Sequence, residues 1–170
     1  FTGVNKHSTE LLQSMKGNGA SFWQNIKKAM ANMPYPAQLC AMNQLSNHDH
    51  SRFLTRTNGK VGRLHTEGSQ AAEEGISLPV FRQAVLFQMT WIGSPAIYYG
   101  DESGLCGWTD PDNRRPYPWG KEDQDLISFH RFVIGMRKEH IALQQGTLIP
   151  LTGEENLIAF ARVYEEETFI

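Results

Sequence analysis

The chain has 170 residues, 40% of them hydrophobic and 20% charged, with a formal net charge of -2. That balance belongs to an ordinary globular α/β-sized chain, and without a basic excess it argues against a nucleic-acid partner. No apolar run approaches the roughly 20 residues that span a bilayer, which argues against a membrane, and no secretory signal is visible.

The first twenty residues are polar, with Lys16-Gly17-Asn18-Gly19, and read as loop. Ser21 is placed to cap a helix in which Phe22, Ile26, Ala29 and Met33 recur at helical spacing. Pro34 and Pro36 are expected to stop it. A strand is predicted from about Ala37 to Leu45, ending in Asn47-His48-Asp49-His50-Ser51-Arg52-Phe53. Residues 54–77, with Gly59, Gly62, Gly68 and Gly75, read as a long loop, of a length that is usually functional or mobile. Ser77 and Pro79 open a second helix, with Leu78, Phe81, Val85, Met89 and Ile92 as its apolar stripe.

Gly93-Ser94-Pro95 ends that helix and starts a second strand, Pro95 to Tyr99, which runs into Gly100-Asp101-Glu102. Residues 103–120 form another long loop, rich in Trp, Pro, Asp and Arg. A third helix is predicted over Gln124–His140, with Leu126, Phe129, Val133 and Met136 on one face. The period then changes. Residues 147–151, 157–161 and 167–170 read as strands separated by turns. The fold class is therefore α/β followed by an all-β module, divided as 1–140 and 141–170. A strand, crossover helix and parallel strand need a covered sheet. Two strands alone leave open edges that invite pairing with other chains, so a piece of a larger domain is expected, one that self-associates or swaps elements when isolated. Cys40 and Cys106, the only cysteines, make neither a disulfide framework nor a metal motif. They read as two partly buried free thiols, which could lie near each other if the strands are adjacent.

Parallel α/β proteins carry their chemistry at the carboxyl ends of strands, and three constellations qualify. In Asn47, His48, Asp49 and Arg52, a carboxylate can accept hydrogen bonds from two vicinal sugar hydroxyls and an imidazole can donate another. A nearby arginine favours the ionised carboxylate. The same residues also suit a plain strand-to-loop turn capped by Asn and Asp. A metal site at His48, Asp49 and His50 is disfavoured, because successive residues of an extended segment point opposite ways. Asp101 and Glu102 read either as an acid/base pair or, preferably, as loop anchors held by backbone amides and arginines. In Trp108-Thr109-Asp110-Pro111-Asp112-Asn113-Arg114-Arg115-Pro116-Tyr117-Pro118-Trp119, aromatic faces suit sugar stacking, and Asp and Arg can grip hydroxyls. Equally, the segment could be a salt-bridged, proline-stiffened loop.

In this order the three motifs resemble the α-amylase superfamily, glycoside hydrolase family thirteen. The Asn-His-Asp segment matches that family's fourth motif at the end of barrel strand seven. The run from Gly93 to Glu102 is similar to strand eight of the TIM (β/α)8 barrel. The loop from Asp110 to Gly120 resembles the neopullulanase, cyclomaltodextrinase and maltogenic amylase branch. The resemblance covers residues 21–140, and the closing strands resemble the start of the family's C-terminal β-sandwich. It implies that Asp49 stabilises the transition state and that His48, with Asn47, binds the same sugar. Asp110 and Arg114 would contact a sugar further toward the non-reducing end, and Arg52 would be a partner of Asp49. His50 departs from the threonine of many relatives.

The family's nucleophile, in a Gly-x-Arg-x-Asp segment, and its acid/base Glu are found nowhere in the chain. Phe1 is expected to follow both. A retaining glycosidase needs that carboxylate pair about 5–5.5 Å apart, so the chain alone is expected to be inactive. The resemblance implies α-glucan oligosaccharides as ligands, joined by α-1,4 and in some cases α-1,6 bonds. It implies no cofactor or metal in this segment, with calcium a matter for the parent, and it favours a cytoplasmic location. The alternative is a non-catalytic carbohydrate-binding or degenerate module.

Overall fold

The sheets of the computed structural model, which describes residues 2–170, are two: a parallel pair of β1 (Met42–Gln44) and β2 (Ser94–Ala96), and an antiparallel meander of β3 (Thr147–Glu154), β4 (Leu157–Tyr164) and β5 (Glu167–Phe169). Helix α1 spans Gly19–Ala31. Its cap is Asn18, not Ser21: the Asn18 side chain accepts from the Ser21 N–H at 2.8 Å. The positive φ of Gly17, +66°, turns the chain into that cap three residues earlier than the apolar spacing indicates. Pro34 and Pro36 do more than end α1. Pro36 sits in the first turn of a short helix α2, Tyr35–Cys40, where its missing N–H costs nothing.

The expected strand over 37–45 is thereby reduced to β1, Met42–Gln44. Its partner β2 is Ser94–Ala96 rather than 95–99, with Met42 opposite Ser94 and Gln44 opposite Ala96. The carboxamide of the buried Gln88 donates to the carbonyls of Asn43 (2.9 Å) and Ala96 (2.8 Å), fastening helix to both strands. That helix, α5, is Leu78–Thr90, with Ser77 capping the Val80 N–H and Pro79 in the first turn. Residues 54–77 are less loop than expected. They hold α3 (Phe53–Arg56), α4 (Leu64–Glu67) and a 3-10 turn at Gln70–Ala72.

Helix α6, Gln124–Glu139, begins at the Asp123 cap. A short helix α7, Ile141–Gln145, was not legible and leads into β3 (Thr147–Glu154), β4 (Leu157–Tyr164) and β5 (Glu167–Phe169). β3 and β4 run longer than expected, and a register shift between Pro150 and Thr152 lets β3 continue past the proline.

Two apolar clusters carry the packing. The larger joins Phe53, Leu54, Phe81, Val85, Met89, Trp108, Leu126 and Val133. Fully burying one such side chain contributes about 1.5–3 kcal/mol. The smaller is aromatic. Trp23, Trp91 and Ile92 pack with Phe22, Phe87 and Phe160, which seats α1 and α5 on the antiparallel sheet. Trp23 donates from Nε1 to the Thr152 carbonyl at 2.7 Å. Gly153 lies so close to the Trp23 ring that a β-carbon there would come within 2.2 Å of it. Arg162 of β4, wholly buried, donates to the carbonyls of Gly146 and Thr90 and ties the sheet to the end of α5. Both cysteines are free. Cys106 is buried, and Cys40 is exposed rather than partly buried, because it ends α2 instead of lying within a strand.

Candidate functional site

The segment after β1 is a tight turn rather than extended strand. The Asn47 side-chain oxygen accepts from the N–H groups of Asp49 (2.9 Å) and His50 (3.0 Å). Just before it, the buried Ser46 hydroxyl accepts from the Phe53 N–H. This geometry turns His48 and Asp49 outward. Their side chains are both 64% exposed, with His48 Nε2 3.5 Å from Asp49 Oδ1. Asn47, expected as a sugar contact, spends its carboxamide oxygen on backbone amides and so acts as the former of the turn.

Asn113 holds the turn from outside. It is fully buried, and its Nδ2 donates to the carbonyls of Asn47 (3.1 Å) and His50 (2.8 Å). The sequence reading did not single it out. An asparagine 66 residues from Asn47 gives no signal of such a contact in spacing or periodicity.

Arg52 is not the partner of Asp49. It lies at the N-terminus of α3 and points inward. Its Nη1 donates to Asp101 Oδ1 (2.9 Å) and to the Tyr99 carbonyl (2.9 Å), and its Nε donates to the Asn113 carbonyl (3.0 Å). The guanidinium also lies over the Tyr98 ring, 4.5 Å from its centroid. Burial pushes the Asp101 carboxyl up to about 6, against the pull of Arg52 and of a hydrogen bond from Ser46. Asp101 is thus a loop anchor, as preferred from the sequence, and is not free for acid/base work.

His50 lies edge-on to His7, with ring centroids 5.4 Å apart. The Ser51 N–H donates to the Lys6 carbonyl, which brings the chain's first residues beside the turn. Burial, then Lys6, Arg56 and His7, hold the His50 imidazole below its usual value, with Asp49 pulling the other way. Lys6 and His7 also escaped the sequence reading. Among the described residues no group of three His, Cys, Asp or Glu is arranged to hold a metal ion.

The loop over 103–120 contributes a second exposed pair. Asp110 Oδ1 and Arg114 Nε are 2.7 Å apart and both half-exposed. Trp108, expected among the stacking faces, is instead wholly buried in the larger core, with Nε1 donating to the Gly68 carbonyl. Its neighbour Asp112 accepts from the Trp108 N–H, the Ser69 hydroxyl and Arg115, and Arg115 also pairs with Glu73. The Tyr99 hydroxyl donates to the Arg115 carbonyl. Only the tip of the loop offers aromatic faces to solvent, at Tyr117 and Trp119, with centroids 4.5 Å apart. The loop is therefore both of its readings at once: a salt-bridged anchor at Asp112 and Arg115, and an open polar pair at Asp110 and Arg114.

The site presents one carboxylate and one imidazole on a braced turn. That set can accept hydrogen bonds from two adjacent hydroxyls and donate one. The neighbouring carboxylates of Asp101 and Asp112 are committed to Arg52 and Arg115.

The chain matches a family profile described as "Alpha amylase, catalytic domain" over residues 2–126. It is 37% identical over 145 residues to an amylopullulanase of Thermoanaerobacter thermohydrosulfuricus, covering 85% of this chain and 10% of that protein. It is 37% identical over 149 residues to a cyclomaltodextrinase of Bacillus sp, covering 85% and 24%. With neopullulanase 2 of Thermoactinomyces vulgaris it shares 37% over 143 residues, 81% of this chain and 22% of that protein. Among solved structures, a cyclomaltodextrinase superposes with a TM-score of 0.72 at 35% identity, covering 89% of this chain and 24% of that one. A debranching enzyme of Nostoc punctiforme gives 0.74 at 27%, covering 98% and 33%. The chain spans a quarter or less of the curated relatives it matches. Its α/β portion has the fold of the C-terminal part of the TIM-barrel amylases, and its antiparallel sheet is consistent with the start of the β domain that follows the barrel in those enzymes.

Proposed function

The chain belongs to the α-amylase catalytic-domain family, and on that footing we propose that it is the part of a retaining α-glucan hydrolase that positions the sugar at the bond to be cut. The family is one of glycoside hydrolases, and the relatives act on starch, pullulan and cyclodextrins. The observation that carries the reading is the exposed His48–Asp49 pair, 3.5 Å apart, on a turn tied down by Asn47 and Asn113.

Asp49 accepts hydrogen bonds from vicinal hydroxyls of the sugar. These strengthen as the ring carbon takes on positive charge in the oxocarbenium-like transition state, which is how such a contact accelerates the reaction. His48 donates to the same sugar. Asp110 and Arg114 hold a sugar further toward the non-reducing end. The nucleophile and the acid/base come from polypeptide outside these 170 residues, with the functional division of the chain at 140/141. The bonds cleaved are α-1,4 and, in branched glucans, α-1,6.

The chain alone then binds short maltooligosaccharides without cleaving them. Calorimetric titration with maltotriose, followed by product analysis, should give binding that Asp49→Asn weakens, and no glucose or maltose release. Hydrolysis by the chain alone, or equal binding by Asp49→Asn, contradicts this. The outer edges of β1 and β2 also have no strand beside them among the described residues, so the isolated chain self-associates. Light scattering should show mass rising with concentration, and a constant monomer mass would refute it.

A further inference from the structure

We propose that Asn113 is a positioning residue for Asp49, and that through it the Asp110–Arg114 pair and the Asp49 turn respond to sugar as one unit. The proposal rests on the reading of Asp49 given above.

Asn113 commits both N–H bonds of its carboxamide to the first and last residues of the turn, the carbonyls of Asn47 at 3.1 Å and His50 at 2.8 Å. His48 and Asp49 lie between those two pinned carbonyls. Rotating the turn enough to re-aim Asp49 requires breaking at least one of these bonds, which strands an N–H of the fully buried Asn113 side chain.

The other end of Asn113 is equally fixed. Its backbone carbonyl accepts from Arg52 Nε at 3.0 Å, and Arg52 is itself locked to Asp101 and to the Tyr99 carbonyl. Arg114 is the next residue, and Asp110 precedes the one-turn 3-10 helix Asp112–Arg114 by two positions. Any shift in Arg114 or Asp110 on gripping a sugar acts on a short, bonded turn whose buried member is Asn113. A packed element with hydrogen bonds at both ends transmits displacement, whereas a loose loop absorbs it.

The test uses the full-length enzyme that carries this chain, with maltotriose as the probe substrate. Asn113→Asp keeps the volume and replaces the donor with an acceptor facing two carbonyls. It should lower kcat at least about tenfold while KM moves less than about threefold, since misplacement of a catalytic group costs rate more than ground-state binding. Asn113→Ser retains one donor and should recover at least about threefold of that loss. In a double-mutant cycle, the penalty of Arg114→Ala on kcat/KM should shrink at least about fivefold in the Asn113→Asp background, as expected of coupled sites.

Independent, multiplicative effects of the two substitutions overturn the proposal, as does a kcat for Asn113→Asp within threefold of the parent. If Asn113→Asp does not fold, Asn113→Ala, which removes the donor without adding an acceptor, carries the same two comparisons with the same criteria. Asp49→Asn is measured alongside. A steep loss there with none at Asn113 overturns only the positioning role, and a small loss at Asp49 overturns the underlying reading together with this one.

Discussion

Arg52 Nη1 donates to Asp101 Oδ1 at 2.9 Å in a pair almost wholly removed from solvent. Through it the helix that follows the Asp49 turn is bound to the segment that leaves β2. Breaking a buried pair by removing one partner leaves an uncompensated charge and costs about 3–5 kcal/mol. Asp101→Ala should therefore destabilise by that order in urea unfolding. Asp101→Ala with Arg52→Met should cost less than the sum of the two single changes. A loss below about 1 kcal/mol for Asp101→Ala, the range of exposed ion pairs, would contradict the account.

The two tryptophans of the 103–120 loop should behave as opposites. Trp108 has no exposure, and Trp119 is 81% exposed. Trp108→Ala should cost about 3–5 kcal/mol, the usual range for emptying a buried aromatic site. Trp119→Ala should stay within about 0.5 kcal/mol of the parent chain. Thermal melts of both variants check this, and equal losses would contradict the placement of Trp108 in the core.

Two groups should each contribute stability that acidification removes, in separate windows, while the raised Asp101 carboxyl works the other way and favours the folded state below about 6. Burial holds the His130 imidazole below its ordinary 6.5, against its hydrogen bond to the Leu126 carbonyl and the pull of Glu102. The unfolded chain then takes up a proton near 6.5 that the folded chain resists. Stability from this group is present above that pH and is lost as pH falls below it. For Asp112, burial raises the pKa, but hydrogen bonds from Arg115, Ser69 and the Trp108 amide outweigh it and hold the carboxyl below its ordinary 3.8. That contribution is present above 3.8 and is lost as pH falls through it. Urea unfolding at about pH 7.5, 5.5 and 2.5 should show each contribution as a difference from the parent chain, His130→Gln making the change from about 7.5 to 5.5 less unfavourable and Asp112→Asn the change from about 5.5 to 2.5. A loss from about pH 7.5 to 5.5 undiminished by His130→Gln would contradict the first assignment.

What was legible in the sequence follows what is local. The stripe from Leu78 to Met89, the Ser77 cap and the third helix stand in the structure because period and capping chemistry act within a few residues. The order of motifs also placed the chain in its family. The strands of the parallel pair were overestimated: Pro36 lies in the first turn of a helix that takes up residues 35–40, and β2 ends at Ala96, where its pairing with Gln44 of β1 ends. Residue type drew attention to His48 and Asp49, and only the family resemblance picked out Asp110 and Arg114 from their loop. Residue type could not tell Trp108 from Trp119, since burial is decided by what packs from residues 62–68. Nor could it pair Arg52 with Asp101 or Asn113 with the turn, because those partners are 49 to 66 residues apart in sequence.

The most direct test of the proposal that this chain is part of an α-glucan hydrolase is the Asp49→Asn substitution in that proposed enzyme, assayed on β-cyclodextrin and pullulan with thermal stability measured in parallel. The substitution removes a preorganised charge from an exposed turn, so kcat should fall by about a hundredfold or more, a loss of about 3 kcal/mol of transition-state stabilisation. The melting temperature should hardly move. A loss of less than about tenfold at unchanged stability would mean that Asp49 does not stabilise the transition state, and the account of this site would fall.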